Sequence, residues 1–225
     1  MAVVGAKESG APADCTIVVG VGDGLACDVE LARWALGVGG YAQVPPTEFA
    51  AVSLSRRDLE TVRERGGAAF LASSGLPFVA TRPSSSKQGD PLFPPYQSVS
   101  CSGHTIALLG LAQPGDIPDA AADQPAASLW PLLQELGGKA DILILLSNAG
   151  PEVDRLLAGE LKGIDVVVGG GEAILEEPEA VPGTGTLLAR PGYPGRSVSV
   201  LHLTFDRAGR LQRHTWERLL FTPQM

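Results

Sequence analysis

The sequence predicts a mixed α/β domain of stacked layers, on three observations. Asp141–Leu146 and Ile164–Val168 are unbroken apolar runs of strand length, joined by one short amphipathic segment with Val153, Leu156, Leu157 and Leu161 at helical spacing. Hairpin punctuation occurs at Tyr96–Leu111 and again towards the C-terminus. Strand patterns outnumber helical ones, and the helical ones lie early and in the middle. A strand–helix–strand unit buried on both faces implies a parallel pair, while the hairpins imply antiparallel pairs beside it. Together these favour a layered mixed domain over a purely parallel doubly wound sheet.

In chain order, Thr16–Val21 is an apolar strand running into Gly20-Val21-Gly22-Asp23-Gly24. A dinucleotide fingerprint would need glycine at position 25, which is Leu25, and no Gly-Lys-Ser/Thr follows, so a phosphate cradle is not expected. Asp23 is instead a carboxylate at the mouth of a buried strand. Asp28 caps an expected helix over Val29–Leu36, closed by Gly37, Gly39 and Gly40. Pro45-Pro46 rules out a central strand within 41–54 on this reading. Ser55 caps a helix beginning Asp58-Leu59-Glu60 and running towards Leu71. Pro77–Thr81 is a strand, and residues 82–95 are a Pro/Ser/Gly-rich loop.

Tyr96–Cys101 and Thr105–Leu111 form a hairpin around Ser102-Gly103-His104. Residues 112–127 are a second loop, and Ser128–Leu136 is a helix carrying Trp130. The central unit follows, its strands ending in Ser147-Asn148-Ala149-Gly150 and Gly169-Gly170-Gly171-Glu172-Ala173. Ligands of parallel units bind beyond such carboxyl ends, so these two turns are expected to help form any site. Thr186–Arg190 is a short strand. Ser197–Phe205 alternates, with Leu201, Leu203 and Phe205 on one face, and Leu211–Phe221 returns beyond a tight turn.

With 44% hydrophobic residues among 225, the chain can bury a full core as a single domain. Seventeen basic against twenty-five acidic residues give −8, which offers phosphate backbones no counterion release and argues against nucleic-acid binding. No apolar run reaches the roughly 18–20 residues that span a bilayer. MAVVGAKESGAPADC has neither a basic n-region nor an apolar h-region. The expected compartment is therefore the cytoplasm for the sequence as written, or the periplasm or exterior if a leader precedes it in the full protein. Cys15, Cys27 and Cys101 are widely spaced and cannot all pair internally; they read as small buried thiols, with a Cys15–Cys27 disulfide as an alternative.

These residues, in this order, resemble the N-terminal domain of 5′-nucleotidases within the calcineurin-like metallophosphatases. The resemblance runs from about Thr16 to Phe205. It rests on Gly22-Asp23, Gly40-Tyr41, Pro77-Phe78-Val79-Ala80, Ser147-Asn148-Ala149-Gly150, Gly163-Ile164-Asp165 through Gly169-Gly170-Gly171, and the closing LHLTFDRAGRL. It implies a four-layer α-β-β-α sandwich of two mixed sheets, and two-metal hydrolysis of phosphate esters. It also implies that the further C-terminal domain of 5′-nucleotidases is absent from this sequence.

The departures fall on the ligands. The family's Ser-His is Ser147-Asn148, and its Gly-His-x-His is Gly170-Gly171-Glu172-Ala173. Its Asn-His pair aligns with Pro46-Thr47-Glu48-Phe49 or with Arg56-Arg57-Asp58-Leu59, neither holding histidine. Its first Asp-x-His has Ala6-Lys7-Glu8 as nearest counterpart. Of the expected ligands only Asp23 remains, and the three histidines, His104, His202 and His214, read as structural or solvated. The candidate cleft residues are thus Asp23, Glu48, Asp58, Asn148, Gly171 and Glu172, none assigned a catalytic role. The expected function is a degenerate, non-catalytic binding or scaffold domain for a protein partner or small molecule, with no cofactor. The alternative is a divergent metal-dependent phosphoesterase whose carboxylates and Asn148 hold one Mg²⁺, Mn²⁺ or Ca²⁺. A third expectation, an unrelated open parallel sheet with a redox role for Cys27 or Cys101, would show a single sheet.

Overall fold

The computed structural model describes residues 15–22, 49–65, 67, 69, 73–81, 93–112, 125–171, 173–192 and 199–218, together with the backbone of 2–8, 197–198 and 219–220. The expected helix over 29–36 and most of both predicted loops lie outside them. Among the described residues, two six-stranded sheets make up the fold. In the first, β1 (Ala2–Glu8), β2 (Cys15–Val21), β3 (Phe49–Ser53), β4 (Phe78–Val79), β11 (Ser197–Phe205) and β12 (Leu211–Leu220) run in the order β12-β11-β1-β2-β3-β4. In the second, β5 (Tyr96–Cys101), β6 (His104–Leu111), β7 (Ile142–Ser147), β8 (Val166–Gly169), β9 (Glu179–Ala180) and β10 (Leu187–Ala189) run in the order β5-β6-β7-β8-β10-β9. Both sheets are mixed: β2, β3 and β4 are parallel, as are β6, β7, β8 and β10, while β5–β6 and β11–β12 are antiparallel hairpins.

Alternation along β7 explains how the layers meet. Ile142, Ile144 and Leu146 join Val19, Val21, Ala51, Leu201, Leu203 and Phe205 in a core shared by the two sheets. Leu143 and Leu145 point the other way, into a second core with α2 (Pro125–Leu136) and α3 (Pro151–Glu160). A strand buried on both faces has no room for polar side chains, which is why ILILL is unbroken. A third, smaller core joins Phe49, Val52 and Phe78 to Val62 of α1 (Arg56–Glu64).

The parallel β7–β8 pair stands as predicted, with Leu145 opposite Val167. Four expectations change. Phe49–Ser53 is a strand inside the first sheet despite Pro45-Pro46: the prolines stop short of it, and its five residues keep the N–H groups that a ladder needs. Helix α1 is capped by Ser55 as predicted, in a capping box with Asp58, but it begins at Arg56 rather than Asp58 and ends at Glu64, well before Leu71. The Gly67 N–H bonds back to Val62 O at φ 62°, a left-handed closure suited to glycine. His104 begins β6 rather than sitting in the turn. Cys15 and Cys101 are not free buried thiols but pair with each other, and Cys15 does not pair with Cys27; the bond joins the start of β2 to the end of β5 across the two sheets.

Candidate functional site

Strands β2, β3, β6, β7, β8 and β10 all point their carboxyl ends the same way, and the residues following them converge. Gly22 N donates to Ser53 O in the first sheet. In the second, Asn148 N donates to Leu111 O and Gly170 N to Ser147 O, so backbone bonds lace the strand ends within each sheet. Between these lacings the Asn148 side chain is inserted. Its Nδ2 donates to Ser53 Oγ at 3.0 Å, which carries it from one sheet to the other. Its Oδ1 lies against Gly22 and Gly170: a methyl group on either would collide with it, and one on Gly170 would also come within 2.9 Å of Val21 O. Two glycines are therefore what makes room for the amide. Gly22 also has φ 63°, so a side chain there is disfavoured twice over.

Beside Asn148 lies a buried ion pair that the sequence reading missed. Asp154, on the first turn of α3, accepts from Ser147 Oγ and from Arg190 Nη1. Arg190, just after β10, also donates from Nη2 to Gly170 O and from Nε to Ala173 O at 3.2 Å. The arginine and aspartate side chains are 3% and 0% exposed. The guanidinium lies against Gly169, where a Cβ would sit 2.8 Å from Arg190 Cζ and 2.6 Å from Asp154 Oδ2. Burial pushes the Asp154 carboxyl up, to about 6, against the lowering effect of Ser147 and Arg190. The clue in the sequence was the run of three glycines that begins at the last residue of β8: such a run marks a close approach, here by Arg190, whose partner is 36 residues away.

Of the six candidate residues, Asn148, Asp58 and Gly171 are described, and Asp23, Glu48 and Glu172 are not. Asp58 is buried, and its Oδ2 accepts from Ser55 N and Ser55 Oγ at the α1 cap. Ser55 in turn packs on Gly22, 3.2 Å from a Cβ built there, so Asp58 belongs to the same corner as Asn148. Gly171 follows Gly170 at φ 83°. Ala6-Lys7-Glu8 does not approach this corner: β1 is antiparallel to β2, and Ala6 lies opposite Cys15, at the far end. His104 is at that far end too, buried against Phe205, while His202 is exposed on β11 and His214 on β12.

A pair of divalent cations does not fit the described donors. Asn148 offers one neutral amide oxygen, Gly171 no side chain, and the Asp58 carboxylate is engaged in a helix cap. The charged group lying on Gly169–Gly170 is itself a cation. Among the described residues no group of three or more His, Cys, Asp or Glu is placed to hold a metal, and no helix is long and apolar enough to cross a membrane.

No protein-family model and no curated protein matches the sequence. Solved structures do match in fold. A 5′-nucleotidase precursor from Thermus thermophilus is 21% identical with a TM-score of 0.65, over 99% of this chain and 54% of its own. The sulfate thiohydrolase SoxB of Thermus thermophilus is 20% identical with a TM-score of 0.69, over 91% of this chain and 38% of its own. The NAD nucleotidase of Haemophilus influenzae is 19% identical with a TM-score of 0.67, over 91% and 41%. The chain thus spans about half or less of each of these proteins. At these identities the likeness is one of fold: two mixed sheets with helices, as in the calcineurin-like metallophosphatases.

Proposed function

We propose that this chain, which has the calcineurin-like metallophosphatase fold, is a non-catalytic binding or scaffold domain for a protein partner or small molecule. The observation that carries this reading is Arg190. A fixed guanidinium, paired with Asp154 and bonded to Gly170 O, supplies positive charge at the strand ends from within the chain. A divalent cation placed beside it would compete for the same oxygens and be repelled at low effective dielectric. The absence of histidine from positions 148, 171 and 173 points the same way, because imidazole is among the usual ligands of hydrolytic transition-metal sites.

A second reading is favoured by one contact. Asn148 Oδ1 faces both Gly22 and Gly170, which stand one residue from Asp23 and two from Glu172. Those oxygens could gather one Mg²⁺, Mn²⁺ or Ca²⁺ in a remodelled phosphoesterase site.

One experiment separates the two. Metal content is measured by mass spectrometry after incubation with Mn²⁺ and desalting, alongside hydrolysis of a generic phosphodiester. We expect substoichiometric metal and no turnover above buffer. One equivalent of metal with turnover that Asn148→Ala abolishes would favour the second reading. Two equivalents with turnover would overturn both.

A further inference from the structure

Strand β12 is ten residues long and ends the first sheet. Among the described residues its only strand neighbour is β11. Every second residue of β12 therefore turns its N–H and C=O away from the sheet, and such an edge is a template for another strand. The strand contains no proline, and its sole irregularity is a bulge at its start, where Gln212 is the extra residue between Leu211 and Arg213, opposite the Thr204–Phe205 step of β11.

The face of β12 directed away from the shared core carries Arg213, Thr215 and Glu217, opposite Thr204, His202 and Val200 of β11. All three are exposed. Arg213 has no carboxylate partner among the described residues. Glu217 is 65% exposed, and among the described residues its one cationic neighbour is His202, whose Nε2 is 4.0 Å away. The two unmatched charges are opposite in sign and stand two residues to either side of Thr215.

That spacing is self-complementary. When two copies of β12 pair antiparallel about Thr215, Arg213 of each faces Glu217 of the other, twice. On the inner face, His214 meets Trp216, with no like charges opposed. A slip of two residues one way sets Arg213 against Thr215 and Glu217 against Leu211. A slip the other way sets Arg213 against Leu219 and Glu217 against Thr215. Slips of one residue would turn the second copy's outer face inward. Only one register matches both charges.

We propose that a second copy of this chain docks on β12, edge to edge and antiparallel about Thr215. The β12-edged sheet of one copy then continues into that of the other as a single sheet with two-fold symmetry. The interface is isologous, so each single substitution acts twice.

The test is sedimentation velocity over a concentration series, with circular dichroism confirming the fold of each variant. The wild type is expected to dimerise reversibly. Glu217→Arg should weaken the dimer by about tenfold or more, because two attractive cross-strand pairs become repulsive. The swap Arg213→Glu with Glu217→Arg should restore it. Independently, Thr215→Cys in a Cys27→Ser background should give a covalent dimer under a mild disulfide oxidant, since directly opposed residues on antiparallel strands come within disulfide reach. A wild type that stays monomeric to its solubility limit overturns the proposal. So does a dimer indifferent to both charge variants, or a Thr215→Cys protein that does not cross-link.

Discussion

At the scale of single residues, Arg190 and Asp154 dominate the strand-end corner. A buried pair gives modest net stability, yet removing one partner leaves the other charged and undersolvated. Arg190→Met should therefore destabilise the fold by about 3–5 kcal/mol in urea unfolding at neutral pH. Adding Asp154→Leu should recover part of that loss, since the stranded carboxylate is gone. Recovery would separate an electrostatic role from a purely steric one. Neither residue stood out in the sequence. An arginine after a short strand and an aspartate in a first helical turn are both ordinary, and only the fold brings them across 36 positions. Asn148 was legible, because it follows an unbroken apolar strand in a turn where ligands gather. Its insertion between Gly22 and Gly170 was not, since a glycine's role as a slot depends on what lies opposite.

At the scale of elements, the strand–helix–strand unit was readable from β7 and β8 because burial on both faces leaves no polar position to blur the pattern. β3 was misread for the converse reason: five residues beside a proline pair carry too little periodicity to outweigh it. Asp165 shows how these strands are tied at their starts. Its Oδ2 accepts from Leu143 N at 2.8 Å, and its carbonyl accepts from Leu187 N at 2.9 Å, linking β7, β8 and β10. Burial raises its carboxyl to about 6, only partly opposed by the Leu143 bond. The folded protein thus holds this proton more tightly than the unfolded chain. Its contribution to stability is present in full below the ordinary aspartate value and is lost as pH rises through about 6. Asp165→Asn should flatten that segment of a stability-versus-pH curve and stabilise the protein at pH 7 by on the order of 1 kcal/mol.

For the whole molecule, the sequence reached the two-sheet architecture chiefly through its likeness to a known family, since no periodicity states which strands share a sheet. The third expectation, a single open sheet, is set aside by the core that both sheets share. The cysteine pairing was out of reach for the same reason: 86 residues separate Cys15 from Cys101, and only the stacking of the sheets brings their Cα atoms to 5.5 Å. A link closing so long a loop restricts the unfolded chain strongly. Cys15→Ser with Cys101→Ser should lower stability by about 4 kcal/mol in guanidinium unfolding, matched by the wild type under reductant.

The position of that link has a mechanical consequence. Cys15 begins β2 and Cys101 ends β5, so the covalent tie is at the base, away from the corner where Asn148 reaches Ser53. The two sheets are built like a clothes-peg, riveted at the handle, while at the jaws the Asn148–Ser53 hydrogen bond adds to the apolar core that Val21 and Leu146 share. Anything prying the jaws apart would have to expose that core as well as break the bond, while the rivet kept the halves aligned for closing again.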